Sequence, residues 1–298
     1  MSNKPAISII IPTSGTPEYI EECLNSICRQ NLKEGQDFEV LIGIDHCEES
    51  KNVLNRIKQN YSNLRIFYFL EKCGPYIIRN TLARLSVADY FLFFDSDDLM
   101  PEQFLSKTYQ ALNSADAIFY YYKFFIDAQN VDGISNRSFD YHSISKIREE
   151  KMFVGMSSGN TPNSLKKKSF YARVSTNLKN GNIFKLNFYL NWAIKTYAHA
   201  FLSGAFVIRK ELFFDMDGFR PWPVGADTEL KMRFKKFNVD PVKMSYRSPF
   251  YKRVHEHNLT LAKGTSIGSS LRNKYEVLMV SSIDQKIPMV TSGNYYNL

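Results

Sequence analysis

FLFFDSDDLM, residues 91–100, is the stretch on which the fold turns. Tyr90 to Phe94 are apolar and mostly aromatic, and the chain then places Asp95, Asp97 and Asp98 within four positions. DYFLFFD (89–95) reads as a buried strand that ends in acid. Like charges this close repel one another unless something positive sits among them. A buried strand end gives bulk water little access, so the stretch demands a cation.

Upstream, three strand–helix pairs lead to it. AISIIIPT (6–13), FEVLIGID (38–45) and LRIFYFL (64–70) are short apolar strands without polar alternation. PEYIEECLNSICRQ (17–30), ESKNVLNRIKQNYS (49–62) and PYIIRNTLARLS (75–86) carry apolar residues at helical spacing. Pro17 and the following glutamates suit a first helical turn. The order βαβαβαβ with near-continuous apolar strands predicts a mostly parallel, Rossmann-like sheet with helices on both faces. Ligands of such sheets bind at the carboxyl ends of strands. Those ends carry Thr13-Ser14, Asp45-His46 and Asp95-Ser96-Asp97-Asp98.

Downstream, PEQFLSKTYQALN (101–113) reads as a helix and AIFYYYKFFID (117–127) as one aromatic strand. The pattern weakens over 134–200. It returns in AFVIRKELFFDMDGF (205–219), in a helix over 227–237, and in strand pairs within VKMSYRSPFYKRV (242–254). The last 30 or so residues show no periodicity and read as a tail.

With 298 residues the chain can bury a real core. Its 44% apolar and 23% charged residues exclude a disordered protein. No apolar run approaches a membrane-spanning helix, and the N-terminus lacks a signal-peptide cleavage site. The four cysteines form no CxxC pair, which points to reduced thiols in the cytosol. A net charge of +8 favours anionic partners. The run Lys166–Lys168 reads as a solvated face that could also meet an anionic acceptor or membrane surface. Nucleic-acid binding has only the net charge behind it, so no nucleic-acid partner is expected.

Carboxylates one residue apart at a strand end are hard oxygen ligands of the kind that hold Mg²⁺ or Mn²⁺ while leaving positions open for phosphate oxygens. A plainer reading makes Asp98 the N-cap of the helix from Pro101 and leaves the other acids solvated; a cap, however, needs only one acid.

The segments SIIIPTSGTPEYIEECLNSICRQ, EVLIGID, CGPYIIRNTLA, FFDSDD, LSGAFVIRKELFFDMDGFRP, GADTEL and YKRVHEHNLT, in this order, resemble the family-2 glycosyltransferases of GT-A fold. The likeness covers most of the chain except about 134–200 and the tail. It implies a nucleotide-sugar-binding half (1–115), an acceptor-binding and catalytic-base half (116–265) as an acceptor-side extension, and a C-terminal tail (266–298). Pro12, Thr13, Asp45, Arg79, Asp95 and Ser96 would bind the nucleotide sugar, with Asp45 accepting from a uracil ring, Arg79 facing the base and Asp95 by the ribose. Asp97 and His255 would hold Mn²⁺ or Mg²⁺; His257, on the same strand face, is the less favoured ligand. Asp227 would be the general base, although the family's preceding Glu is Ala226 here. That Asp could equally cap its helix. Glu229 and Trp222 would contact the acceptor, while Tyr120 to Tyr122 suit strand packing and Trp192 is a weaker sugar platform.

The resemblance thus implies an inverting, metal-dependent transferase. It would move a sugar from a UDP-sugar to a hydroxyl of a capsule, lipopolysaccharide or similar glycan. Its place would be the cytoplasm, with peripheral contact at the inner face of the cell membrane. The alternatives are a non-catalytic nucleotide- or glycan-binding protein, suggested by Ala226, and a sugar nucleotidyltransferase, disfavoured because PTSGTPEY lacks the Gly-rich GGxGTR loop. A dinucleotide-binding dehydrogenase is disfavoured because no GxGxxG follows the first strand.

Overall fold

All seven residues of β1 (Ile7–Thr13) and all eight of β2 (Phe38–Asp45) are buried. Strands covered on both faces belong inside a parallel sheet flanked by helices, and that is the arrangement found. The computed structural model describes residues 4–32, 37–125, 153–154, 204–244, 250–253, 255, 264–265 and 269–298. Lys166–Lys168, Trp192, His257 and nearly all of the weakly patterned stretch 134–200 lie outside the described residues.

β1 and β2 are joined by α1 (Pro17–Cys28). α2 (Glu48–Ile57) leads to β3 (Leu64–Phe69), and α3 (Pro75–Leu85) to β4 (Tyr90–Phe93). The parallel core runs β3–β2–β1–β4. Register aligns its carboxyl ends. Thr13 pairs with Ile44, one residue before Asp45, and Ile10 pairs with Phe93 just ahead of the acids.

β8 (Phe206–Arg209) extends the sheet antiparallel to β4. Beyond it lie β5 (Ala117–Phe119) and the two-residue β9 (Val242–Lys243). One core layer packs Leu24 and Ile27 of α1, Leu54 of α2 and Leu105 of α4 (Phe104–Leu112) on one face of the sheet. The other packs Ile78 and Leu82 of α3, Phe213 of α5 (Lys210–Asp215) and Leu230 of α6 (Ala226–Arg233). The α3 layer lies tight against β2: a Cβ on Gly43 would stand 2.3 Å from Ile78 Cγ2.

Four expectations are corrected. The aromatic run 117–127 is not one strand. β5 joins the main sheet, whereas β6 (Tyr122–Phe125) leaves it for a second sheet ordered β10–β6–β7, with β7 at Phe153–Val154 and β10 at Phe250–Arg253. Aromatic composition favours the strand state of such a run but does not choose its partner. The strands of 242–254 do not pair with each other, because β9 pairs with β5 and β10 with β6. Asp98 caps no helix: α4 starts at Phe104 behind a left-handed Gln103. Finally, 266–298 is not a structureless tail. α7 (Ser270–Ser282) is capped by Ser269, whose hydroxyl accepts from Arg272 N at 3.2 Å. β11 (Tyr295–Asn297) closes the sheet edge antiparallel to β3. Arg220 donates to the carbonyls of Gln285 and Ile287, and Asn80 to that of Val290, so the order comes from tertiary partners rather than an apolar stripe.

Candidate active site

β4 ends at Phe93, and the chain turns within Asp95–Asp98, where Asp98 N donates to the Asp95 carbonyl. The turn is stitched to β10 by paired backbone bonds between Leu99 and Tyr251, both at 2.9 Å. Asp98 Oδ1 accepts from Arg253 N at 3.0 Å. This seam carries three cationic or imidazole groups from β10 and its continuation to the acids.

Lys252 Nζ lies 3.4 Å from Asp95 Oδ2 and 3.8 Å from Asp98 Oδ2. Arg253 is buried. It donates to the Asp97 carbonyl at 2.9 Å, pairs with Glu22 at 2.5 Å and stacks 4.3 Å over the Tyr19 ring. His255 Nε2 stands 2.7 Å from Asp97 Oδ2. From α3, Arg79 pairs with Asp95 Oδ1. Arg79 and Lys252 are thus the protein's own answer to the clustered charge. Burial pushes the Asp95 carboxyl up, yet Lys252 and Arg79 outweigh it and hold the group below its ordinary value. Asp98 is driven well up, by burial first and then by Asp97 and Asp95. Burial pulls Lys252 down, but the three acids raise it overall.

The residue types suit a divalent ion. Asp95, Asp97 and Asp98 each offer an oxygen within 4.8 Å of the others, and His255 adds an imidazole beside Asp97. Asp98 Oδ2 is buried without a hydrogen-bond partner. A hard oxygen set with one imidazole fits Mn²⁺ or Mg²⁺.

The expected nucleotide residues gather on the same strand-end edge. Pro12, Thr13 and Ser96 are buried there, and Thr13 Oγ1 lacks a hydrogen-bond partner. Asp45 accepts from the amides of Cys73 (2.6 Å) and Gly74 (3.1 Å), so it anchors the loop entering α3. Arg79 reaches Asp95 rather than standing apart as a base contact.

Asp227 occupies the first turn of α6, whose N-cap is the left-handed Gly225. The aspartate is therefore not the cap. Its Oδ1 accepts from the Tyr76 hydroxyl at 2.7 Å. On the next turn, Lys231 is buried against Phe206 and Phe119. Burial lowers it to about 8, against a pull upward from Asp227.

Glu229 is the clear correction. It is 0% exposed and lies between Arg233 (2.8 Å) and Arg220 (3.4 Å), so it has no face toward an acceptor. Burial pushes its carboxyl up, and the two guanidiniums pull the other way. Trp222 is half-buried, its ring 5.5 Å from Tyr275 of α7. Sequence reasoning missed Lys252 and Tyr76. Lys252 had a signal, since it stands three residues before His255 in YKRVH; Tyr76 had none.

A parallel core with an acid turn at its fourth strand end and a base candidate on a later helix is the GT-A arrangement of nucleotide-sugar transferases. The chain belongs to glycosyl transferase family 2, whose profile matches residues 8–213. The poly(ribitol-phosphate) β-N-acetylglucosaminyltransferase TarP of Staphylococcus aureus is 35% identical over 105 residues, 35% of this chain and 32% of that protein. The poly(ribitol-phosphate) β-glucosyltransferase of Bacillus spizizenii is 31% identical over 105 residues, 35% of this chain and 16% of its own length. The chain thus spans a third or less of these relatives. In three dimensions it is similar to S. aureus TarS 1–349 bound to UDP-GlcNAc, with a TM-score of 0.53 and 17% identity over 85% of this chain and 59% of that one. It is also similar to the Pyrobaculum calidifontis mannosyltransferase PcManGT bound to GDP-Man and Mn²⁺, with a TM-score of 0.55 and 15% identity over 96% and 66%. Among the described residues no helix is long and apolar enough to cross a membrane.

Proposed function

We propose that the protein is an inverting glycosyltransferase that moves a sugar from a UDP-sugar to a hydroxyl of a cell-surface glycan. The observation that carries this reading is the acid turn, where three carboxylates converge with His255 at 2.7 Å from Asp97. Asp97 and His255 would hold Mn²⁺ or Mg²⁺, with Asp98 Oδ2 as a further donor. A divalent ion bound there supplies positive charge for the departing diphosphate.

The chain's own residues account for the rest. Pro12, Thr13, Asp45, Arg79, Asp95 and Ser96 line the donor edge, in the half 1–115. Asp227, in the half 116–265, takes the proton of the acceptor hydroxyl. That oxygen bonds to the sugar's anomeric carbon as the bond to the diphosphate breaks, and the electron pair leaves with UDP. One displacement on the opposite face inverts the centre and needs no covalent nucleophile. Trp222 stands near the base helix as the candidate acceptor platform.

The acceptor of first choice is a phosphate-rich polymer such as poly(ribitol phosphate). Two relatives carry that polymer in their names, and a net charge of +8 draws polyanions. The same charge supports work at the cytoplasmic face of an anionic membrane, as a peripheral protein.

Calorimetric titration with UDP tests the reading, run with Mn²⁺, with EDTA, with GDP in place of UDP, and on Asp97→Ala. Metal-dependent UDP binding that disappears in the variant is the expected result. No binding of either diphosphate with metal would leave a non-catalytic glycan-binding protein as the better account.

A further inference from the structure

We propose that Tyr76 positions Asp227 for proton abstraction, and that α3 thereby joins the base to the donor site. This rests on the reading of Asp227 as the base. The hydrogen bond spans 151 residues of sequence, from the second residue of α3 to the second of α6, with Tyr76 Oη donating to Asp227 Oδ1 at 2.7 Å.

The phenol is buried, and its ring packs 5.4 Å from Phe219, so it has little freedom to turn away. Burial, with the charge of Asp227 behind it, pushes the hydroxyl well above its ordinary range, so it remains a donor at every pH at which the enzyme would work. With Oδ1 engaged, Oδ2 is the oxygen left to receive a proton. One turn along α3, Arg79 lies 5.4 Å from the Tyr76 ring and pairs with Asp95 of the acid turn. The base and the donor site therefore share one helix face. Among the described residues, Lys231 on α6 and Arg272 on α7 also lie within electrostatic reach of the pair.

Tyr76→Phe removes the hydroxyl and keeps the ring. Three measurements on the full chain decide the matter. The KM for acceptor is measured in wild type, Tyr76→Phe and Asp227→Asn. UDP binding is measured with Mn²⁺. Release of UDP from UDP-GlcNAc is followed with poly(ribitol phosphate) as acceptor. The expected result is a loss confined to kcat in Tyr76→Phe, with the KM for acceptor within about twofold of wild type. Turnover should fall about tenfold, part of the 10²–10⁴ that general-base catalysis supplies. UDP affinity should stay within about twofold, since a hydroxyl that orients the base touches no nucleotide. Unchanged turnover overturns the proposal, and so does a rise in KM or a loss of UDP affinity equal to the loss of rate. Full turnover by Asp227→Asn instead sinks the reading of the base, whatever Tyr76→Phe does.

Discussion

Replacing Glu229 with Gln should destabilise the fold and leave donor binding intact. Glu229 is 0% exposed and is the carboxylate shared by Arg233 and Arg220, themselves 3% and 2% exposed. Gln keeps the volume but leaves two buried guanidiniums without a counter-charge. Breaking a buried ion pair from one side costs about 3–5 kcal/mol. The arginines keep other partners: Arg233 donates to the Met216 and Gly218 carbonyls, and Arg220 to those of Gln285 and Ile287. That restraint favours the lower figure. For 298 residues the unfolding entropy near 60 °C is about 0.6 kcal/mol/K, so the loss corresponds to a fall in Tm of about 5–8 °C. Circular dichroism melts of wild type and variant, with UDP affinity measured below both transitions, make the comparison. Equal Tm values with impaired turnover would refute the reasoning and return Glu229 to the acceptor side.

Two further perturbations probe packing and protonation. Gly43→Ala forces a methyl group to within 2.3 Å of Ile78 Cγ2. It should cost about 1–3 kcal/mol and lower Tm by about 2–5 °C; a variant as stable as wild type would mean that α3 can shift away from β2 freely. Lys231 is lowered to about 8 in the folded protein by burial. Its charge therefore opposes folding most strongly below about pH 8, and the penalty fades as pH rises toward the unfolded value near 10.5. Relative to Lys231→Met, wild type should gain up to about 3 kcal/mol between those limits. Urea denaturation at pH 7.5 and 10 measures it, and identical pH dependence in the two proteins would contradict the burial.

The parallel core was legible because its strands are buried on both faces. AISIIIPT and FEVLIGID have no polar alternation to confuse with an edge strand. The acid turn was legible for a related reason, since three carboxylates after an aromatic strand have few other uses. What neutralises them was not. Lys252 lies 157 residues beyond Asp95 in the chain, and no local pattern announces a contact of that range. Glu229 misled because an acid in a first helical turn looks exposed and dipole-favoured; the one local hint was Arg233, four residues on. The run 117–127 shows the same limit in the sheet. The aromatic run identified strand, and only the neighbours decided that Phe119 and Tyr122 belong to different sheets.

The seam between the acid turn and β10 also sets an order of assembly. Asp97 and His255 are 158 residues apart. At about 5–20 residues per second, a ribosome delivers the histidine roughly 8–30 s after the aspartate. The first four strands can close in that time, but the carboxylates at their edge wait without Lys252 or His255. The nascent first half is an acidic cleft that holds Arg79 but not yet Lys252 or Arg253, open to whatever counterion the surroundings offer. The last third of the chain converts that cleft from a general cation trap into a site with its own charges in place.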